Sequence, residues 1–269
     1  MSDLARGWFA AVLAVALAVA LAFLTLPIVA IFVQQPPGDL IGALGEEGAL
    51  DALWLSLRAT AAAVALILVV GTPAAYLLAT RRFRGRAAVI TLVELPLVLP
   101  PAVAGIALLA AVGPATLLGR AAADAGLQLA LATAGVVVAL TFVAAPFYLR
   151  QAIAAFEAVD PTLLDASRTL GAPPARTFAR VAIPTALPGL VAGTALALGR
   201  ALGEFGATLM FAGSFQGVTQ TVPLAIYDRF ATDFTAALAL SAVLVAVSAA
   251  ILLSVKLVRG PDALARGAR

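Results

Sequence analysis

The chain has 269 residues, 63% of them hydrophobic and only 12% charged, with a mean hydropathy of +1.07, which excludes a soluble domain, where the apolar share is roughly 45–50%. It contains no histidine and no cysteine, which excludes Ser-His and Cys-His catalysis, haem ligation by His or Cys, thiol redox chemistry and the usual zinc sites. The formal charge of +3 and the isoelectric point near 9.9 are explained below by the placement of cations around a membrane, so no nucleic-acid partner is expected.

Crossing about 30 Å of hydrocarbon takes roughly 20 helical residues at about 1.5 Å each. Six apolar stretches qualify, near Trp8–Val33, Leu53–Ala79, Ala87–Val112, Leu127–Leu149, Thr185–Phe211 and Phe234–Val258. Their runs are continuous and lack the alternation of membrane strands, so the spans are helices. The first is much longer than the core of a secretory signal, which is about 7–15 residues, and is kept as a span. Cationic residues avoid translocation. With both termini inside, the cytoplasmic segments hold Arg6, Arg81, Arg82, Arg84, Arg86, Arg150, Arg168, Arg176, Arg180, Lys256, Arg259, Arg266 and Arg269. The outer loops hold Arg120 and Arg229, and the spans hold Arg58 and Arg200. That asymmetry places the connection between the fourth and fifth spans in the cytoplasm.

In the second span, Arg58 follows Trp54 and reads as a side chain snorkelling to the outer interface. In the third, Pro96, Pro100 and Pro101 remove backbone donors and forbid a straight helix; a kinked pore-lining helix and a kink used for packing are both consistent with this. Glu94, near the start of that span, reads as the partner of an arginine in the same bundle.

The connection DPTLLDASRTLGAPPARTFARVAIP, residues 160–184, is the most polar structured segment. Asp160 suits an N-cap with Pro161 at the first helical position. Gly171 falls where a left-handed C-cap is wanted, and Pro173 and Pro174 open a second short helix. The expected shape is a stiff elbow. Leu163, Ala166 and Leu170 share one side of its first helix and face either the protein's own spans or a partner's groove.

In the fifth span, Gly189 and Gly193, then Gly199 and Gly203, are small residues four apart that favour close helix packing. Arg200 and Glu204 share a helical face and read first as a structural ion pair, then as part of a gate. Lys256 is the single lysine and lies at the end of the last span, so no GxxxxGK[ST] loop exists. No span carries an aspartate well inside its apolar run, which sets aside an aspartyl protease. No enzyme is expected.

The spacing Asp165-Ala166-Ser167, three residues, Gly171, nine residues, Val181, one residue, Ile183-Pro184 resembles the EAA loop of ABC-importer permeases, whose pattern is EAA, x3, G, x9, I, x, L, P. Asp165, Ser167, Val181 and Ile183 are conservative departures. LPLVLPPAVAGIALLAAVG, from Leu95 to Gly113, and GRALGEFGATLMFAGSFQGVTQTVPLAIYDRF, from Gly199 to Phe230, are similar to the corresponding regions of molybdate/tungstate permeases. Sulfate/thiosulfate permeases share the GEFGA core.

That resemblance implies an all-α integral membrane protein with six transmembrane helices, both termini cytoplasmic, of the ABC type I importer kind. Residues 1–269 would form one transmembrane domain, with the coupling loop at 150–184 inside it. It implies a homodimer carrying two cytoplasmic ABC ATPases, an extracytoplasmic oxyanion-binding protein and surrounding membrane lipid, in a bacterial or archaeal plasma membrane. Asp165, Ala166, Ser167, Leu170, Gly171, Val181, Ile183 and Pro184 would carry the ATPase contact. Glu94, Pro96, Pro100, Pro101, Arg200, Gly203, Glu204 and Gly206 are the pore or gate candidates. No cofactor is expected on this chain, since ATP and Mg would be held by the ATPase. Molybdate or tungstate is the expected cargo, ahead of sulfate or thiosulfate. An ion-gradient-driven secondary transporter ranks behind, because the sequence has no internal repeat and no intramembrane Asp/His relay. A non-transporting scaffold ranks last.

Overall fold

In a computed structural model, which describes residues 3–34, 36, 38, 42, 45 and 48–257, the chain is helical throughout, with no strand among the described residues. The helices are α1 (Asp3–Val33), α2 (Ala49–Thr80), α3 (Arg86–Val98), α4 (Pro101–Val112), α5 (Leu117–Asp124) and α6 (Thr133–Glu157). After these come α7 (Pro161–Thr169), α8 (Pro174–Thr177), a π-helical turn at Phe178–Ala182, α9 (Ile183–Leu202), α10 (Gly206–Ala212), α11 (Val222–Phe230) and α12 (Phe234–Leu257). Five segments are long and apolar enough to cross a membrane: Trp8–Val33, Ala49–Thr80, Thr133–Glu157, Pro174–Leu202 and Phe234–Val255. The pair α3 and α4 makes a sixth if it is taken as one broken span.

The centre of the bundle is α6, which packs along α2 on one side and α9 on the other. Its buried face, Val136, Leu140, Ala144, Tyr148 and Ala152, meets Ala59, Ala63, Ile67 and Ala75 of α2 and Ala186, Leu190 and Ala197 of α9. Alanine dominates because lipid tails are as apolar as leucine. Association then depends on close backbone approach and dense contact rather than on removing apolar area from water. Tyr148 is the large exception. It is fully buried, its ring lies against Gly71, and its hydroxyl is 2.6 Å from Thr72 Oγ1, so the polar atom is satisfied. A second apolar cluster joins α4, α6 and α10, and a third joins α2, α11 and α12. By contrast α1 buries none of its span and touches only α12 among the stronger helix contacts.

Four predicted elements differ from those observed. The third span is not kinked but broken. Leu99 and Pro100 are extended at ψ 131° and 137°, and α3 and α4 meet at 119°. The break follows from Pro100 and Pro101 in tandem, because each proline disfavours the helical region for the residue before it. The fourth span, predicted at Leu127–Leu149, runs from Thr133 to Glu157, so Arg150 lies inside a helix rather than in a loop. The ordered connection is correspondingly shorter than residues 150–184. The fifth span, predicted to continue to Phe211, stops at Leu202; α10 is a separate helix. Val258, the predicted end of the sixth span, and Arg259, Arg266 and Arg269 of the predicted inner C-terminal segment lie outside the described residues.

Candidate functional site: an elbow at one end and a broken-helix junction within the bundle

The elbow forms as local sterics dictate. Asp160 caps α7, its Oδ1 accepting from Thr162 N at 2.9 Å, and that hydrogen bond holds its carboxyl below the usual carboxylate range. Pro161 occupies the first helical position. Gly171 has φ +80° with nothing near its missing Cβ, so the requirement there is conformational, not spatial. Pro173 caps α8 and Pro174 begins it. Ser167 Oγ lies 2.9 Å from Thr177 Oγ1 and ties the two short helices together.

The elbow is anchored to the bundle by a few groups. Leu164 is buried in the main core. Phe178, in the π-helical turn, stacks with Tyr76 of α2 at 4.7 Å between ring centroids, and Tyr76 meets Phe156 of α6 at 5.3 Å. A π turn inserts one extra residue per turn and here joins the elbow to α9 without a break. Leu163, Ala166 and Leu170 are all exposed, Leu170 at 88%. Their shared face therefore points away from the bundle. Asp165 and Gly171 are exposed beside them, and Asp165 pairs with Arg168 at 2.9 Å. Val181 and Ile183 do not join that face; both pack on the core, while Pro184 is exposed. The predicted coupling set thus divides into an outward face and an anchoring pair.

Of the predicted pore or gate residues, Pro101 and Gly206 meet where the two chain breaks come together, while Glu94 and Pro96 lie elsewhere. Gly206 opens α10 against the start of α4: a Cβ there would sit 2.7 Å from Pro101 Cβ and 3.2 Å from Ala102 N. One at Gly105 would sit 2.6 Å from Met210 Cβ and 2.7 Å from the Ala207 carbonyl oxygen. Glu204 fills the junction and is 1% exposed. Its Oε1 accepts from Ala207 N at 2.6 Å, capping α10, and its Oε2 lies 2.5 Å from Arg200 Nη2. That second contact is an ion pair off the hydrogen-bond direction, since Oε2 has no hydrogen-bond partner. Arg200 and Glu204 pair as expected, although Glu204 stands beyond the end of α9. Gly203 is the C-cap of α9.

The glycine stripe holds only in its first half. A Cβ at Gly189 would lie 2.4 Å from Ala155 Cβ, and one at Gly193 would lie 3.1 Å from Gln151 Cβ, so both seat α9 on α6. Gly199 and Gly203 have no neighbouring helix closer than 3.9 Å. Glu94 lies 3.7 Å from Arg150, the expected arginine partner in the same bundle. Arg58 is exposed and lies 4.3 Å from the Trp54 ring centroid. Pro96 lies inside α3 and does not break it. Sequence reasoning missed Gly105, the Arg86–Glu157 ion pair between α3 and α6, and the cap supplied by Glu204. Only the helix-breaking prolines signalled the first of these. Taken together, the site holds paired charges, a hinge-like junction and an exposed apolar ledge. It can bind and move; no nucleophile–base pair is formed in it.

Comparison with known proteins agrees with this geometry. A family described as "Binding-protein-dependent transport system inner membrane component" matches residues 71–260. The molybdenum transport system permease protein ModB of Mycobacterium tuberculosis is 43% identical over 233 residues, covering 87% of this chain and 88% of that protein. A probable molybdenum ABC transporter permease of Haloferax volcanii is 39% identical over 88% of this chain and 86% of its own length. Among solved structures, a bacterial ABC transporter for alginate import superposes with a TM-score of 0.74 at 17% identity, over 94% of this chain and 96% of that one. The MetNI methionine ABC transporter does so with a TM-score of 0.62 at 21% identity, over 78% and 93%. Those two likenesses speak for the fold alone. The chain belongs to the family of inner membrane components of binding-protein-dependent transport systems, and is a multi-pass inner-membrane permease.

Proposed function

We propose that the chain is the permease subunit of an ATP-driven importer of molybdate or tungstate. It would work as a homodimer on two cytoplasmic ABC ATPases that hold the ATP and Mg, and receive its cargo from an extracytoplasmic binding protein. The observation that carries this reading is the elbow. A rigid two-helix unit, fixed to the bundle by Leu164 and Phe178, turns Leu163, Ala166 and Leu170 outward as an apolar ledge. Such a ledge costs solvation unless a partner's groove covers it. Ala166, Gly171 and Pro184 match the EAA pattern, with Asp165 and Ser167 as conservative departures, and relatives at 39–43% identity are named molybdenum permeases.

In mechanism, ATP binding draws the two ATPases together, and each pulls on an elbow. Because the π-helical turn runs without interruption into α9, displacement of the elbow is passed along α9 to Arg200 and the Gly203–Phe205 break. There α10 is wedged against α4 through Gly206 and Gly105. Beside the apolar packing of α4, α6 and α10, the polar contacts at the junction are one ion pair and one cap, few bonds to exchange between the two arrangements of a gate.

The test is uptake into vesicles holding the permease, its ATPase and its binding protein. ATP-dependent accumulation of labelled molybdate or tungstate is expected, and it should be lost with Gly171→Val, which forces a β-branched residue to φ +80°. Accumulation of sulfate alone would reassign the cargo. Uptake that persists without ATP and collapses with the proton or sodium gradient would overturn the reading.

A further inference from the structure

Three arginine–carboxylate pairs lie in order along one groove of the bundle. Nearest the elbow, Arg86 at the start of α3 pairs with Glu157 at the end of α6. Two turns further along both helices, Glu94 of α3 faces Arg150 of α6. Beyond that, Arg200 of α9 pairs with Glu204. Adjacent cavities with shared lining residues run past the first two pairs and end one helical turn short of Arg200. The cleft under the elbow shares Arg86 and Glu157 with a cavity of about 330 Å³ that also touches Glu94 and Arg150. That cavity shares Arg150 and Ala154 with another of about 330 Å³, lined by Leu97, Gln151 and Leu196. Arg200 is one turn past Leu196 on the same face of α9.

The pairs are not equivalent. Arg86 also donates from Nε to the Leu78 carbonyl at 2.6 Å, and Arg200 lies 2.5 Å from its carboxylate. Arg150 is different: its side chain is 72% exposed and Glu94 is 3.7 Å away, too far for a hydrogen bond. Among the described residues no acceptor holds its donors. Gln151 adds an amide to the same cavity. An arginine with open donors on a cavity wall is suited to the oxygens of a tetrahedral anion.

We infer that this groove is the cytoplasmic half of the conduit, that Arg150 and Gln151 form a transient subsite for the oxyanion in transit, and that Glu94 keeps its occupancy brief. The inference rests on the proposed oxyanion permease with its elbow inside. A bare guanidinium facing a dianion would hold it; a carboxylate 3.7 Å from the arginine offsets much of that attraction, and conduction requires binding weak enough for release.

The experiment uses the complete transporter in vesicles for uptake, and the detergent-solubilised permease–ATPase complex without binding protein for equilibrium binding of labelled molybdate. Glu94→Gln should bind the anion at least about tenfold more tightly than wild type and import it about tenfold more slowly, with ATP hydrolysis retained as proof of assembly. Glu94→Gln combined with Arg150→Gln should lose the added binding. Arg150→Gln alone, at an exposed position, should assemble normally and import slowly. Glu94→Gln without added binding, or Arg150→Gln with normal uptake, overturns the inference. So does anionic lipid that co-purifies with wild type and is lost in Arg150→Gln while flux is unchanged, because the arginine would then seat a lipid headgroup. A wild-type complex that moves no oxyanion overturns the functional reading and this inference with it; normal wild-type uptake with an unaltered Glu94→Gln overturns this inference alone.

Discussion

At Gly105 and Gly206, single hydrogen atoms decide whether α4 and α10 pack. Either residue changed to alanine brings a methyl within 2.7 Å of atoms on the facing helix, and overpacking of this kind costs about 1–3 kcal/mol. Gly199→Ala, with its nearest foreign atom at 3.9 Å, should instead be neutral or stabilising by up to about 1 kcal/mol, the helix-propensity gain over glycine. Thermal unfolding of the purified protein should separate the three, with Gly105→Ala and Gly206→Ala melting lower than wild type and Gly199→Ala not. Glu204→Ala removes both the α10 cap and the Arg200 counter-charge from a site that is 1% exposed. Breaking one side of a buried pair costs about 3–5 kcal/mol. Glu204→Gln keeps an oxygen for Ala207 N and should lose clearly less in the same measurement.

The elbow tests how far an element can be separated from the bundle that carries it. Leu170 is 88% exposed and Leu164 8%, so Leu170→Asp should leave the melting temperature unchanged and abolish co-purification with the ATPase. Leu164→Ala should destabilise by about 2–5 kcal/mol, as core truncations do. Asp160 adds a pH dependence. Its carboxyl is held below its ordinary range by Thr162 N–H, so the cap stabilises α7 above the unfolded carboxylate pKa and fades as pH falls through the lower folded value. Hydrogen-exchange protection across residues 161–169, corrected for the intrinsic pH dependence of amide exchange, should therefore fall on acidification, and Asp160→Ala should remove that dependence. This element was legible in sequence because Asp-Pro, Gly and Pro-Pro act through local sterics. The ends of its neighbours were not. Hydropathy treats Arg150 as a loop residue, whereas helical hydrogen bonding continues past it to Glu157. Hydropathy likewise runs smoothly across Gly203–Phe205, where the backbone breaks.

Across the whole molecule, an alanine-lined core of α2, α6 and α9 is the rigid part, with the elbow at one end and the α4–α10 junction packed on α6. Five spans and their order were readable from apolar runs of sufficient length, and the sixth run is the broken pair α3 and α4. The meeting of LPLVLPP with GEFGA was not, since residues 101 and 206 are brought together by tertiary packing that leaves no periodic trace in either segment. The same holds for the arginine–carboxylate file, whose members come from α3, α6 and α9 and its following break. The functional account depends on the elbow facing the cytoplasm and meeting an ATPase there. Because the chain contains no cysteine, Leu170→Cys provides one reactive thiol without background. In the assembled transporter it should cross-link to the ATPase and resist a membrane-impermeant maleimide added outside. Labelling from the extracytoplasmic side, with no cross-link to the ATPase, would contradict the account.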